Sequence, residues 1–151
     1  MLEDESRNIG ARHMPHYFSD RMAQSSFVVI EMDFEERLER LWQEYVVERY
    51  LKTMAFYGSS GEQEFADYLT QSLLRVQKRL GGQRTKELLA SMENAIALQH
   101  QDNFASHRYW LTGLTREYYD PMYSYQLERK KELLAFRGNR EDVIDWLGSA
   151  G

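Results

Sequence analysis

The chain has no cysteine at all. That excludes disulfides, zinc–thiolate centres and any thiol nucleophile carried by these residues, and it suits a reducing compartment. Proline occurs twice, at Pro15 and Pro121. Both are placed to open helices, where the missing N–H costs nothing, and Asp120 stands where an N-cap belongs. No run approaches ~20 consecutive apolar residues, so no membrane span is expected. The opening MLEDESRNIG is acidic and polar, unlike a signal peptide. A cytoplasmic protein is the expectation. The phosphate-cradling pattern G-x-x-x-x-G-K-S/T is missing too, and Gly81-Gly82-Gln83-Arg84-Thr85-Lys86 approaches it only with the wrong spacing. Neither G-x-S-x-G nor H-E-x-x-H occurs.

What is present is a globular balance: 151 residues, 42% hydrophobic and 28% charged, enough for one domain with a core. A net charge of −5 argues against polyanion binding by bulk charge, while local basic patches stay open to nucleic acid. Aromatic residues reach 13%, with ten tyrosines, so some rings are expected at a surface or a ligand edge.

Ser26–Met32 (SFVVIEM) is nearly all apolar around Val28-Val29-Ile30 and reads as a strand buried on both faces, as in a parallel sheet. Leu133–Phe136 is a weaker strand candidate, and Leu2–Asp4 a third. The rest reads as helix. Asp33 and Glu36 form one predicted capping box, ahead of the stripe Phe34, Leu38, Leu41, Trp42, Tyr45 and Val46. Ser60 and Gln63 form another, ahead of Phe65, Leu69, Leu73, Val76 and Leu80, which Gly81-Gly82 ends. Helices are expected next over Leu88–Ile96, over Asn103–Tyr118 and over Asp120–Lys131. Asn139 should cap a last one with Val143, Ile144, Trp146 and Leu147. The fold class is therefore α/β but predominantly helical, in a single domain spanning residues 1–151. Its α/β pieces, 1–32 and 132–151, bracket helices over 33–131. Two or three strands make a poor sheet on their own, so partner strands are expected from outside this chain.

Four constellations could carry chemistry. Glu3, Asp4 and Glu5 follow an apolar residue, as carboxylates do at strand ends that handle phosphate. A solvated tail is the plain alternative. Ser6 and Arg7 bring small polar groups and a planar guanidinium suited to two phosphate oxygens. Arg75, Lys78 and Arg79 share a helix face, with Arg84 and Lys86 just past the glycine turn. They are the best candidate for an RNA-backbone surface, with a solvated helix end as the plain alternative. Tyr118, Tyr119, Tyr123 and Tyr125 crowd around Asp120 and Pro121. Such rings could stack on splayed bases, hold an isoprenoid tail, or simply pack with their hydroxyls at the rim of a core. The pairs His13/His16 and His100/His107 lack a convincing third ligand and are expected to be solvated or packed. No catalytic residue and no metal site is assigned.

Taken in order, EDESRNIG (3–10), Met14-Pro15, FVVIEMDFEERLERLWQEYV (27–46), RLGGQR (79–84), YYDPMYSYQLERK (118–130) and FRG (136–138) resemble the C-terminal half of the tRNA 2-selenouridine synthases. The resemblance runs from about Glu3 to Trp146; YYDPMY and EDESR-x-IG are its specific parts, and FEERLERL is generic amphipathic helix. It implies a rhodanese-like domain with an essential cysteine fused to a P-loop domain of nucleotide-kinase type. This chain would hold only an incomplete parallel-sheet remnant of the latter, with a helical insertion. The implied activity is conversion of wobble 2-thiouridine in tRNA to 2-selenouridine through a geranylated intermediate. The implied co-substrates are selenophosphate and geranyl diphosphate, with no cofactor in this chain. By position, Glu3, Glu5, Ser6 and Arg7 would face the phosphate site and Arg137 would lie at a strand end. Tyr118, Tyr119, Asp120 and Tyr123 would face substrate or tRNA. Without the cysteine and the P-loop the chain alone is expected to be inactive. It would work with tRNA and with a separate rhodanese/P-loop chain or by self-association. A noncatalytic tRNA-binding or assembly module and an inactive remnant are the alternatives.

Overall fold

A computed structural model describes residues 8–9 and 12–149. The chain forms two compact units: Met1–Met32 with Gln126–Gly151, and Asp33–Tyr125.

In the first unit, β1 (Asn8–Ile9) and β2 (Arg12–His13) make a short antiparallel ladder, and α1 (His16–Ala23) follows Pro15. Strand β3 (Phe27–Ile30) pairs in parallel with β4 (Leu134–Gly138), Val28 opposite Phe136 and Ile30 opposite Gly138. Helix α8 (Arg140–Ser149) packs on this pair. Its Val143 is buried, and its Trp146 ring stacks on Phe136 at 5.4 Å and 9°. Asn139 caps α8 as expected: its Oδ1 accepts from the Asp142 N–H at 3.0 Å, and the Asp142 carboxylate accepts from the Asn139 N–H at 3.2 Å. The β-branched run is a parallel strand, but the expectation of burial on both faces fails. Ile30 is 52% exposed and no residue of β3 is buried. Among the described residues β3 has one neighbouring strand, and with α8 packed on the pair Phe27, Val28 and Val29 are half-buried while Ile30 is exposed. The candidate strand Leu2–Asp4 lies outside the described residues.

The second unit is helical: α2 (Phe34–Trp42), a π-helical stretch Gln43–Glu48, α3 (Arg49–Tyr57), α4 (Gly61–Leu80), α5 (Gly82–Leu98), α6 (His107–Leu114), a second π-helical stretch Thr115–Tyr119, and α7 (Asp120–Arg129), which runs on past its boundary. Its core is the apolar stripe of α4 (Phe65, Leu69, Leu73) set against Leu38, Val46, Leu88, Met92, Ala95, Trp110 and Leu111. The i, i+4 spacing of the α4 residues keeps them on one face, and each such buried side chain contributes about 1.5–3 kcal/mol.

Helix ends are set by identifiable chemistry. Asp33 caps α2 by accepting from the Glu35 N–H at 2.8 Å, while Glu36, the expected partner in a capping box, pairs with Arg40 instead. Asp33→Ala should cost about 1 kcal/mol, read as a shifted urea midpoint. The predicted Ser60/Gln63 box does not form. Ser60 is already helical, its hydroxyl donates to the Tyr57 carbonyl, and Gln63 bonds Asp67. A 3₁₀ turn over Gly58–Ser60 feeds directly into α4, leaving no extended residue to act as cap. Gly61 is required by close packing, since a Cβ there would sit 2.9 Å from the Met54 Cα. Gly81 separates α4 from α5 at φ +90, a conformation that favours glycine.

Two further expectations are corrected. The helix expected from Asn103 begins at His107, because Asn103 and Phe104 take φ of +51 and +64. Phe104 is held there by its carbonyl, which accepts from the Trp42 indole N–H at 2.9 Å. Asp120-Pro121 does not start a new helix either. Asp120 has helical φ and ψ, and the chain stays helical from α6 through the π-stretch into α7. A proline ring clashes with the carbonyl four residues back, and the widened π-turn just before it relieves that conflict.

Candidate functional site

The helical unit contains a cavity of about 540 Å³, within the range of small-molecule sites. Its deep wall is apolar and buried: Leu69 and Leu73 from α4, Met92 from α5, and Trp110 and Leu111 from α6. Towards solvent the lining turns amphipathic, with Tyr45, Tyr68, Tyr119 and Tyr123. Tyr45 lies in the first π-stretch, and Thr115 and Tyr119 in the second. Both π-helical interruptions of this unit therefore face the same cavity. Such interruptions cost hydrogen-bond geometry and recur at functional sites.

The four tyrosines form one electrostatic group. Burial raises the Tyr119 phenol above its ordinary value, and Tyr118, Tyr123, Tyr45 and Tyr68 raise it further. Tyr45 is raised by burial first, then by Glu44, Tyr68 and Tyr123. Both hydroxyls therefore stay protonated near neutral pH and remain donors. The Tyr119 and Tyr123 rings stack at 6.4 Å.

Two arginines line the cavity with opposite roles. Arg37 makes a bidentate pair with Asp120, Nη1 to Oδ1 at 2.7 Å and Nη2 to Oδ2 at 2.9 Å, which ties α2 to α7. Its guanidinium also lies 5.5 Å from the Phe34 ring, whose face Arg116 approaches to 4.2 Å. Arg75 is exposed at the cavity edge, and no carboxylate of the described residues pairs with it. Tyr68, Ser72 and Arg75 follow one another at i, i+4 and i+7 on α4, and all three line the cavity. The arrangement can accept a molecule with an apolar body and an anionic end.

The structure brings together only part of the residues singled out in the sequence. Tyr119, Asp120 and Tyr123 line the cavity, and Tyr118 packs against the core beside them. Arg75 joins them from α4. Lys78 and Arg79 lie exposed on the same helix, clear of the cavity. Arg84 is engaged by the carboxylates of Glu117 and Glu87, so it is not a free cation. Arg137 lies in β4, and its guanidinium pairs with Glu31 after β3. Glu3, Glu5, Ser6 and Arg7 lie outside the described residues. Arg37, Tyr68, Met92 and Trp110 were not singled out as site residues. The Tyr68–Ser72–Arg75 spacing on one helix was the available signal.

Of the histidines, His107 is packed, with no exposed surface. Its Nδ1 accepts the Trp110 indole N–H at 3.0 Å, and its Nε2 is buried without a partner. Burial drives its pKa down to about 4, against a weaker opposing pull from Asp102. His100 pairs with Glu62 at 3.0 Å. Among the described residues no cluster of three or more His, Asp or Glu is placed to hold a metal ion, and no helix is long and apolar enough to cross a membrane.

A mostly helical unit that holds an amphipathic cavity and a small parallel α/β unit together define the class of domain. Residues 1–150 match the family model described as the tRNA 2-selenouridine synthase AAA domain, and the chain belongs to that family. It is 43% identical over 149 residues to proteins named tRNA 2-selenouridine synthase from Salmonella paratyphi A, Salmonella typhi and Salmonella typhimurium. The match covers 97% of this chain and 41% of each relative. No solved structure matches it.

Proposed function

We propose that this chain is the substrate-holding part of a cytoplasmic tRNA-modifying enzyme that replaces the 2-thio group of a wobble uridine with selenium through an S-geranyl intermediate. In this reading the cavity seats the geranyl group of geranyl diphosphate or of the geranylated uridine. Arg75 meets the diphosphate, and Lys78, Arg79 and Lys86 offer cations to the tRNA backbone. The observation that carries the reading is the pairing of an apolar, tyrosine-rimmed cavity with a guanidinium at its edge, that of Arg75, which no carboxylate of the described residues compensates. An isoprenoid diphosphate has that same division into a tail and an anionic head.

The chain spans 41% of the length of the curated relatives it matches. It carries no cysteine and no phosphate-cradling loop. Transfer chemistry and selenophosphate handling are accordingly assigned to residues beyond these, with Glu3, Glu5, Ser6, Arg7 and Arg137 contributing to a shared phosphate site. Among the described residues one edge of β3 has no strand neighbour, a natural place for further strands to join, supplied by such residues or by a separate chain.

Calorimetric titration tests the cavity. Geranyl diphosphate should bind saturably and more tightly than either inorganic diphosphate or geraniol alone. Equal binding of inorganic and geranyl diphosphate would remove the cavity from the reading. The alternative of a noncatalytic tRNA-binding module predicts tRNA retention that weakens steeply with salt and is indifferent to the diphosphate.

A further inference from the structure

The buried side chains that line the cavity differ in how freely they can move. Trp110 is held rigidly there: its only polar atom is bonded back to His107, and the His107 ring lies against Phe65 and Phe104. Leu73 is locked in the α4 stripe at 1% exposure. Met92 is also 1% exposed, and it is the one residue of α5 that reaches the cavity. Methionine is unbranched, with three rotatable bonds, and fills irregular gaps. Met92 thus both lines the cavity and belongs to the central core, and it is the unbranched, adaptable side chain among the buried residues there.

We propose that Met92 is the length stop of the cavity, limiting how many isoprene units a bound chain can carry. The inference rests on the reading of this cavity as the seat of a prenyl group. Shortening the side chain deepens the floor towards the core, and a bulkier, stiffer one raises it. One change of this kind in an apolar pocket alters discrimination by about 10- to 200-fold per methylene-scale difference in the ligand.

The experiment measures the affinities of the full chain for geranyl and farnesyl diphosphate and compares their ratio across variants. Met92→Ala should raise the farnesyl-to-geranyl ratio by about tenfold or more, and Met92→Phe should lower it by a similar factor. Met92→Leu conserves volume and should leave the ratio within about twofold of the parent. A ratio reads only the folded molecules, so lost stability in Met92→Ala does not mimic the effect, and Met92→Phe supplies the opposite sign independently. Ratios unchanged in both variants, with the parent binding both ligands, would overturn the length stop and leave the cavity reading standing. Failure of the parent to bind either diphosphate would overturn both.

Discussion

Arg75→Ala should weaken geranyl diphosphate binding by about 10- to 100-fold while leaving the melting temperature nearly unchanged. Hydrogen bonds to charged groups are worth about 1.5–3 kcal/mol, and each 1.4 kcal/mol is a factor of ten. The side chain is exposed, and among the described residues no carboxylate engages it, so its removal orphans nothing. Surface changes of that kind stay within about 0.5 kcal/mol of stability. Arg75→Lys should recover only part of the loss, because an ammonium cannot present a planar fork to two oxygens. The contrast is Arg37→Ala, which leaves the Asp120 carboxylate without its bidentate partner and should lower stability as well as affinity. Parallel calorimetry and thermal melts check both. Equal affinity of Arg75→Ala and the parent would detach the diphosphate from this end of the cavity.

Acidification from pH 7 to pH 4.5 should cost the helical unit about 2–3 kcal/mol through His107 alone. In the folded chain this imidazole titrates at about 4, below its ordinary 6.5, because burial disfavours the cation. Protonation would also place a second N–H against the Trp110 indole donor. The stabilisation is therefore complete above the unfolded pKa. It declines as pH falls through 6.5 and is gone once pH passes below the folded value. Asp102 and Ser106 lie in the same turn; the Ser106 hydroxyl hydrogen bond holds the Asp102 carboxyl below its usual range, so its own contribution fades only at lower pH. Urea midpoints measured at intervals between pH 7 and 4.5 should trace this decline. In His107→Leu the slope across that window should flatten. A slope in the variant equal to the parent's would assign the acid sensitivity to other groups.

Much of the local structure was legible in residue order. Helical spacing of apolar residues marked α4 and α5, because a 3.6-residue period has to place those side chains on one buried face. Gly81 marked the break between α4 and α5, since it takes a positive φ. Asp33 and Asn139 marked helix starts, because their side chains satisfy N–H groups that a helix leaves unpaired. The signals that misled were those with a competing partner. Ser60 had a turn carbonyl to bond, and Glu36 had Arg40 one turn along. Pro121 looked like a helix start because residue order does not disclose that the preceding turn widens to π geometry.

The cluster YYDPMYSY could be picked out as unusual from its letters, but not what it faces. Residue types and periodicities settle which side chains can be buried and where helices stop, since those are contests between neighbours in the chain. They also gave the family, through motifs read in order. Folding settled the cavity: it joined Tyr45, Tyr68, Met92, Trp110 and Tyr123 from five stretches of chain, and matched Arg37 to Asp120 across 83 positions. It also divided the cations, tying Arg84 to carboxylates and leaving Arg75 open. Pairings at that separation depend on how helices pack, and no local preference encodes them.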